Sequence, residues 1–396
     1  MDKRALPSVA DLTLDEQIGQ MLCLGWGGPD SLLELNAQAR ACLEEMHCGG
    51  LILMGRNVQQ QTRPLPPMEP ERIRAMLEEA QKLARVPLLV ATDQEGGRVA
   101  RFGSAPFTPM PSALEFGLRG DTALARDAAQ ATAQELAAVG VNWNFAPVAD
   151  VNSNPDNPVI GNRSFGATPE QVAPLVQAQV AGYQNGGVLP CVKHFPGHGD
   201  TALDSHYDLP VLNHTLDVME ERELVPFRAA IVAHVPTVMT AHILFPAVDD
   251  SGLPATMSRA ILTGLLREQM GFDGLIVTDC LEMKAVANGW GTARAAVLAA
   301  IAGADMLLVC HTLERQRETF HALREAVQTG ELSRERVADA VGRVLAAKAR
   351  LPQDFPPLSV IGSTDHQEVA RRARGGEEKT AFAPTTLGAE APGAGV

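Results

Sequence analysis

A parallel (β/α)8 barrel of the TIM type is the fold class that the sequence predicts, and three observations predict it. Eight short apolar runs, rich in Val, Ile and Leu, recur along the chain without alternating between apolar and polar residues. Continuous apolar character indicates strands buried on both faces, as in a parallel sheet. Amphipathic stretches with helical spacing separate the runs, and ionisable residues cluster where the runs end. A doubly wound parallel sheet is the alternative that strand counting leaves open.

The predicted strands and helices alternate in chain order. The strands occupy residues 21–26, 50–54, 86–93, 141–147, 189–195, 237–243, 274–280 and 304–310. The clearest helical patterns lie at residues 70–83, 122–139, 169–184, 258–269 and 333–350. In such a barrel, the carboxyl ends of the strands and the loops that follow them build the functional site. The sequence therefore predicts that the functional residues are those that follow the apolar runs.

Composition and charge exclude several classes of protein. The chain has 396 residues, of which 45% are hydrophobic and 20% charged, as expected of a globular protein with a large core. Its formal net charge of −14 argues against general nucleic-acid binding, which needs a basic surface. The start of the sequence lacks an apolar signal segment, and no apolar run reaches the roughly 18 residues of a membrane span. We therefore expect a cytoplasmic protein with no nucleic-acid or membrane partner.

The cysteines form no metal or redox motif along the sequence. None of the 6 cysteines belongs to a C-x-x-C pair, so neither a zinc knuckle nor a thioredoxin-type motif is present. Scattered cysteines in a chain of this size fit a reducing compartment, in which they pack as small hydrophobic side chains.

The densest group of titratable residues runs from Lys193 to His206 and follows a predicted buried strand. A solvated loop with incidental histidines is one interpretation of it. The spacing of His194, His198 and His206, with Asp204 nearby, is also one that zinc ligands use. Alternatively, Asp204 orients His206, which then exchanges protons near neutral pH. The residues alone leave these interpretations open.

A second candidate is Asp279, which ends the apolar run at residues 274–280. It could cap the amino terminus of the next helix, or it could serve as a carboxylate nucleophile at the mouth of the barrel. Glu282, three positions later, is interpreted as a capping-box residue at the start of that helix rather than as a catalytic group.

Two further loops carry charged side chains. Asp93 ends a strand and could accept hydrogen bonds from substrate hydroxyls, with Arg101 as a donor, or the two could form a structural ion pair. The glycine pair between them lacks the G-x-G-x-x-G pattern of a dinucleotide loop. The turn-rich loop at residues 157–166 offers one guanidinium, that of Arg163, and is a weak signal by itself.

Taken together, these segments resemble glycoside hydrolase family 3, and within it the branch of β-N-acetylhexosaminidases. The resemblance extends roughly from Leu12 to Arg350. It is most specific where K-H-F-P-G-H-G-D-T at residues 193–201 is followed by D-S-H at residues 204–206. The other similar segments lie at residues 93–101, 162–165 and 278–283.

The resemblance implies a role for each matching residue. Asp279 would attack the anomeric carbon, His206 would protonate the leaving oxygen and then deprotonate the incoming water, and Asp204 would orient His206. The side chains that would hold the sugar hydroxyls are Asp93, Arg101, Arg163, Lys193 and His194. Cys280 stands where many relatives carry a second Asp, and we expect this change to affect packing beneath the site.

These roles imply a retaining exo-β-N-acetylglucosaminidase that needs no metal and no organic cofactor. The expected substrate is a terminal N-acetylglucosamine on a cell-wall muropeptide or a chitooligosaccharide, with peptidoglycan recycling as the process. The expected state is a monomer or homodimer. A phosphorylase of the same branch is one alternative, because an imidazole repels an anionic phosphate acceptor less than a second carboxylate would. A metal-dependent amidohydrolase-type barrel, with His194, His198 and His206 as ligands, is the other.

The resemblance also divides the chain. We predict a catalytic barrel domain over residues 1–350, a remnant of an interdomain linker over residues 351–374, and a disordered tail over residues 375–396. Residues 363–372 resemble the linker that leads into a second α/β domain in two-domain relatives. The residues after them lack family character and periodicity. We therefore expect a single-domain enzyme in which the barrel supplies the whole site.

Overall fold

The computed structural model of this protein describes residues 5–59, 66–203, 209–352 and 354–375. The strands are β1 (Leu22–Leu24), β2 (Gly50–Leu53), β3 (Leu89–Thr92), β4 (Gln94–Gly96), β5 (Val99–Ala100), β6 (Trp143–Asn144), β7 (Leu189–Phe195), β8 (Thr237–Thr240), β9 (Leu275–Val277) and β10 (Leu307–Val309).

The α-helices are α1 (Leu14–Gln20), α2 (Ala37–Glu44), α3 (Gly55–Val58), α4 (Pro70–Leu83), α5 (Ala113–Arg119), α6 (Thr122–Val139), α7 (Pro169–Asn185), α8 (Leu216–Glu221), α9 (Leu224–Val232), α10 (Lys284–Ala287), α11 (Thr292–Ala302), α12 (Leu313–Thr329), α13 (Arg334–Ala349) and α14 (Thr364–Ala373). Short 3-10 helices lie at Val9–Asp11, Gly161–Arg163, Ala255–Met257 and Leu358–Val360, and a π-helix spans Ala260–Gln269.

Eight of the strands form one parallel sheet whose order follows the chain. The order is β10-β1-β2-β3-β6-β7-β8-β9, and a parallel bridge between Val277 and Met306 joins the two edges into a barrel. A doubly wound sheet would reverse its strand order at a switch point, so the continuous order excludes that alternative. Each predicted apolar run contains one barrel strand, and the predicted (β/α)8 fold is confirmed. Strands β4 and β5 form a separate antiparallel hairpin just after β3.

The barrel interior is a packed apolar core. Trp143 and Phe145 meet inside it edge to face, with ring centroids 4.8 Å apart. The indole Nε1 of Trp143 donates to Thr237 Oγ1 at 2.9 Å, so the buried nitrogen has a partner. The helices pack against the outer face of the same strands. Both faces of each strand are therefore buried, which is the physical reason that the apolar runs do not alternate.

The helices form where apolar side chains recur with helical spacing. Helix α4 begins with Pro70 at its first position and buries Ile73, Met76, Leu77 and Ala80 on one face. Residues 258–269 were expected to form an ordinary α-helix, but a π-helix spans Ala260–Gln269. Apolar spacing does not distinguish the two helix types here, because the buried residues Ile261, Leu262, Leu265 and Leu266 fall on one side of either kind of helix.

The segment after α13 docks back onto the barrel. Helix α14, within the predicted linker remnant, packs on α6 through His366, whose Nδ1 lies 3.0 Å from Glu135 Oε1. The buried Glu135 carboxylate also accepts from the backbone N–H of Thr108 at 2.8 Å. Residues 376–396 of the predicted tail lie outside the described residues. Within the described ranges, none of the helices is long and apolar enough to cross a membrane.

Candidate active site

The carboxyl ends of the barrel strands surround a cavity of about 190 Å³. Its walls come from residues at or after the ends of β2, β3, β7, β9 and β10, at the end of the barrel where TIM-barrel enzymes carry their sites. Of the predicted site residues, those that line the cavity are Asp93, Arg101, Arg163, Lys193, His194 and Asp279. The other two, Asp204 and His206, lie outside the described residues.

Lys193 joins two carboxylates in the cavity wall. Its Nζ lies 2.8 Å from Asp93 Oδ1 and 2.6 Å from Glu95 Oε1, and its side chain is only 3% exposed. Burial by itself would lower the pKa of Lys193, but the attraction of Asp93 and Glu95 outweighs burial and raises that pKa. Lys193 is therefore a cationic donor that holds both carboxylates in place.

Two arginines complete this charged network. Arg163 makes a bidentate pair with Glu95, to which Nε and Nη2 each donate at 2.9 Å. Arg101 Nη2 lies 3.4 Å from Asp93 Oδ2, a longer contact than the one that Lys193 makes. Burial would raise the pKa of each carboxyl group. The charge of Lys193 holds the pKa of Asp93 below its usual value, and Arg163 does the same for Glu95. Both groups are thus ionised acceptors.

Asp150 organises the loop that follows β7. Its fully buried carboxylate accepts from the backbone N–H of His194 at 3.2 Å and of His198 at 2.7 Å. Its Oδ2 lies 2.7 Å from His194 Nδ1, and the attraction of this imidazole outweighs burial and lowers the pKa of Asp150. The other nitrogen of His194 lies 3.4 Å from Arg163 Nη2. A guanidinium at this distance repels a cation, so His194 is poorly placed to be a metal ligand.

His198 lies deep in the same loop and hydrogen-bonds through Nδ1 to Thr201 Oγ1 at 2.9 Å. Burial, followed by repulsion from His194, lowers the pKa of His198 to about 4. In the unfolded chain this group titrates at about pH 6.5. Between these two values the unfolded state binds a proton that the folded state does not. Stability due to His198 is therefore complete above about pH 6.5 and is lost as the pH falls toward about 4.

We expect the wild-type protein to lose about 3 kcal/mol of unfolding free energy through His198 over this pH window. His198→Asn should lose correspondingly less between the same limits. Urea unfolding at a series of pH values measures both slopes, and His321→Asn, at an exposed position on α12, is the control that should follow the wild type. Parallel pH profiles for His198→Asn and the wild type would contradict the assignment.

The glycines of this loop are required by close packing. A Cβ atom added to Gly199 would lie 1.8 Å from the carbonyl oxygen of Val151, and one added to Gly197 would lie 2.7 Å from the side chain of Glu223. Gly197 also has a φ of +139°, which side chains disfavour. The loop can therefore pass close to the segment after β6 only where side chains are absent.

Asp279 follows β9 and lines the same cavity. Its Oδ1 accepts from the backbone N–H of Cys280 at 2.7 Å. The next helix, α10, begins at Lys284 and has Met283 at its N-cap position. The capping interpretation of Asp279 is therefore wrong, and the carboxylate stands at the carboxyl end of a barrel strand.

Glu282 caps a different helix from the one expected. Its carboxylate accepts from the backbone N–H of His311 at 2.6 Å and of Thr312 at 3.1 Å, immediately before α12. A carboxylate at a helix amino terminus is favourable because of the exposed N–H groups there. The capping interpretation thus identified the right chemistry and the wrong helix, since sequence spacing does not reveal a contact between segments 29 residues apart.

Cys280 does not lie beneath the site but lines the cavity, together with Cys310 and His311. Hydrogen bonds with the Cys310 thiol, and then with the His311 ring, hold the pKa of the Cys280 thiol below its usual value. The two sulfur atoms and one imidazole nitrogen all lie within 4.8 Å of one another. Among the described residues, this is the one group of His, Cys, Asp or Glu side chains that converges closely enough to hold a metal ion.

A comparison with known families agrees with this geometry. Residues 13–347 match the profile of the glycosyl hydrolase family 3 N-terminal domain. The chain belongs to glycoside hydrolase family 3. The resemblance that the motifs indicated is thereby confirmed, and the matched range includes all the predicted site residues.

Individual known proteins are similar to this chain over most of its length. Beta-hexosaminidase A of Pseudoalteromonas piscicida is 37% identical over 80% of this chain, which spans 56% of the length of that relative. A family 3 β-N-acetylglucosaminidase from Paenibacillus superposes with a TM-score of 0.84 at 42% identity, covering 91% of this chain and 68% of that one. The β-glucoside phosphorylase BglX superposes with a TM-score of 0.80 at 30% identity, covering 92% of this chain and 65% of its own.

Sequence reasoning missed two residues of this family 3 site. Glu95 lies within the segment that resembles the family but was given no role, and it is the partner of both Lys193 and Arg163. Asp150 stands three residues after the predicted strand at residues 141–147, and this position was the available signal for it. Neither role could be assigned from the sequence because each depends on partners from other strands.

Glu95→Gln tests the charged network, because it keeps the size of the side chain and removes its charge. Lys193 and Arg163 would then lose a buried counter-charge, which costs about 3–5 kcal/mol. We expect the free energy of unfolding to fall by about that amount in a urea titration. Glu331→Gln is the control, because it removes the exposed pair with Arg294 and should cost less than about 1 kcal/mol. Similar small losses for both variants would show that the network adds little stability.

Proposed function

We propose that this protein is a retaining exo-β-N-acetylglucosaminidase that removes terminal N-acetylglucosamine from muropeptides or chitooligosaccharides. One observation carries the proposal: Asp279 and the charged network around Lys193 line one cavity at the carboxyl end of the barrel. A nucleophile beside a set of fixed donors and acceptors is what glycosyl transfer to a carboxylate requires. The names of the similar family 3 proteins support this choice of substrate.

Asp279 is the proposed nucleophile. The carboxylates of Asp93 and Glu95 face the same cavity, but each is held by Lys193 and an arginine, and attack by either would break those pairs. In the proposed reaction, Asp279 displaces the aglycone oxygen from the anomeric carbon and forms a glycosyl ester. Water then cleaves that ester, and two inversions give net retention of configuration.

His206 is the proposed acid and base, with Asp204 as the group that orients it. The imidazole donates a proton to the leaving oxygen in the first step and takes one from water in the second. The neighbouring Asp204 fixes the tautomer and balances the imidazolium charge. This assignment rests on the family motif, in which a histidine stands in place of the second carboxylate of other retaining glycosidases.

The charged network is the proposed sugar-binding surface. Asp93 accepts from sugar hydroxyls, while Lys193, Arg163 and His194 offer polar groups around the ring. Arg101 adds a donor, because its Nε is buried and no described residue accepts a hydrogen bond from it. Ion pairs hold these groups in place before substrate arrives. Substrate binding therefore costs little side-chain entropy.

Hydrolysis of p-nitrophenyl N-acetyl-β-glucosaminide, compared with the matching β-glucoside, tests the proposal. We expect release from the N-acetyl substrate and much slower release from the glucoside, with no loss of rate when EDTA is present. Rapid hydrolysis that EDTA abolishes would favour the metal-dependent alternative instead. Release from the glucoside alone would contradict the proposed substrate class.

A phosphorylase is the second candidate, because the chain superposes on the β-glucoside phosphorylase BglX over most of its length. In that reaction phosphate, rather than water, attacks the glycosyl ester and yields a sugar phosphate. Adding phosphate to the same assay separates the two reactions. A rate that rises with phosphate, with a sugar phosphate as product, would favour the phosphorylase, and a rate indifferent to phosphate favours the hydrolase.

The sequence also predicts a cytoplasmic location, a part in peptidoglycan recycling, and a monomeric or homodimeric state, and these stay predictions. The division into a catalytic domain over residues 1–350, a linker remnant and a tail is likewise proposed. Helix α14, within the proposed linker remnant, docks on α6 of the barrel.

A further inference from the structure

Two thiols and an imidazole converge in the wall of the cavity, beside the proposed nucleophile. Cys280 directly follows Asp279, and Cys310 and His311 follow the neighbouring strand β10. We infer that Cys280, Cys310 and His311 form a binding site for a divalent metal ion of the zinc class, and that an ion bound there inhibits the enzyme. The inhibition rests on the proposed function, whereas the binding does not.

The kinds of ligand decide the class of metal. Thiolate sulfur and imidazole nitrogen are the donors that zinc prefers, whereas magnesium and calcium require oxygen ligands. Two cysteines and a histidine form a known three-ligand set for zinc, with a fourth position left for water or an incoming ligand. These residues line the cavity, so the fourth position can open into it.

The distances allow coordination after a small adjustment. In a tetrahedral site, Zn–S bonds of about 2.3 Å and Zn–N bonds of about 2.0 Å place the ligand atoms about 3.5–3.8 Å apart. The three ligand atoms here already lie within 4.8 Å of one another. The side chain of His311 is exposed, which leaves it room to turn toward the two buried thiols.

The backbone around each ligand is anchored by a side chain from elsewhere in the barrel. His242 Nε2 lies 3.0 Å from the carbonyl oxygen of Cys280, to which it can donate, and Arg56 Nη2 donates to the carbonyl of Cys310 at 2.9 Å. Glu282 accepts from the backbone N–H of His311 at 2.6 Å. These contacts fix the backbone that carries the three ligands.

Binding places a metal ion beside the nucleophile. Each thiol that coordinates the ion releases its proton to solvent, and the two thiolates balance the two positive charges of the ion. The ion and its fourth ligand occupy space in a cavity of about 190 Å³ that Asp279 also lines. A sugar cannot take up the same space, so the bound ion is an inhibitor rather than a cofactor.

Cobalt(II) is the probe for the site, because sulfur ligation produces a thiolate-to-cobalt charge-transfer absorption that does not depend on activity. Tag-free, reduced protein titrated with cobalt should show this absorption with one ion per chain, and zinc should displace the cobalt. Cys310→Ser and His311→Ala should each weaken binding at least about 10-fold. Cys42→Ser, a buried cysteine of α2 outside the cavity, should bind like the wild type.

Absence of the charge-transfer band in reduced wild-type protein would overturn the inference. Equal cobalt binding by Cys310→Ser and the wild type would overturn it as well. In the hydrolysis assay, zinc should inhibit the wild type, and Cys310→Ser should need at least about 10-fold more zinc for the same inhibition. Equal zinc sensitivity would refute the inhibitory role. If the protein hydrolysed no substrate, the proposed function would fail while the cobalt titration still decided the metal site.

Discussion

Replacement of Asp279 by alanine is expected to lower kcat by about 10⁴-fold or more while the barrel stays folded. The reason is that the glycosyl ester cannot form without this carboxylate, and the charged network can bind the sugar but cannot replace the lost bond. The measurement is kcat on the N-acetyl aryl substrate, with circular dichroism and urea unfolding to establish that the fold is intact. Asp279→Asn, which keeps the shape of the side chain, should lose comparable activity.

Asp273→Asn is the matched control, because Asp273 is an exposed carboxylate just before the other end of β9. It should keep the activity of the wild type. Azide supplies a second test, since it is small enough to enter the space left by Asp279→Ala and attack the anomeric carbon from the same side. The expected product is the α-glycosyl azide. Activity of Asp279→Ala close to that of the wild type would remove Asp279 from the mechanism.

His206→Ala is expected to produce the second large effect, and one that depends on the leaving group. A sugar or alkyl aglycone needs protonation as its bond breaks, so kcat/KM for such substrates should fall by about 10²–10⁴-fold. A nitrophenyl aglycone leaves as a stable anion, and its kcat/KM should fall much less. Because His206 also activates the water of the second step, the glycosyl-enzyme should accumulate and appear as a burst of released nitrophenol.

The comparison of kcat/KM isolates the first chemical step, which makes the leaving-group test specific to the acid role. Asp204→Asn should show the same leaving-group dependence with smaller losses, since it acts only through His206. His321→Ala, on the exposed face of α12, is the control and should behave like the wild type. Equal losses of kcat/KM for good and poor leaving groups would argue against His206 as the acid.

Most of the secondary structure could be predicted because it depends on local patterns. Helix α4 spans Pro70–Leu83 and α6 spans Thr122–Val139, as apolar spacing predicted. The helix at residues 258–269 was the exception in type, since its apolar residues fit an α-helix and a π-helix equally. Closure of the barrel followed from counting eight buried strands, and the bridge between Val277 and Met306 confirmed it.

The candidate site could be predicted where a residue's position in the sequence determines its position in the fold. Asp93, Lys193 and Asp279 all stand at or next to the end of a buried strand, and in a parallel barrel those ends meet on one face. Glu95 and Asp150 were not assigned a role, because that role depends on the side chains that contact them from other segments. The role of Lys193 depends on the two carboxylates that it contacts, and both come from a different segment of the chain.

The sequence by itself determined the strand and helix order, the parallel barrel and the end of it that carries the charged side chains. These depend on hydrophobic period and chain order, which are local properties. Only the tertiary structure decided which side chains meet: Cys280 with Cys310 and His311, and Glu282 with the start of α12. Those contacts join segments that lie about one β/α unit apart in the sequence but on neighbouring strands of the barrel. The physical reason is that strand pairing brings such ends together at a distance that no sequence spacing encodes.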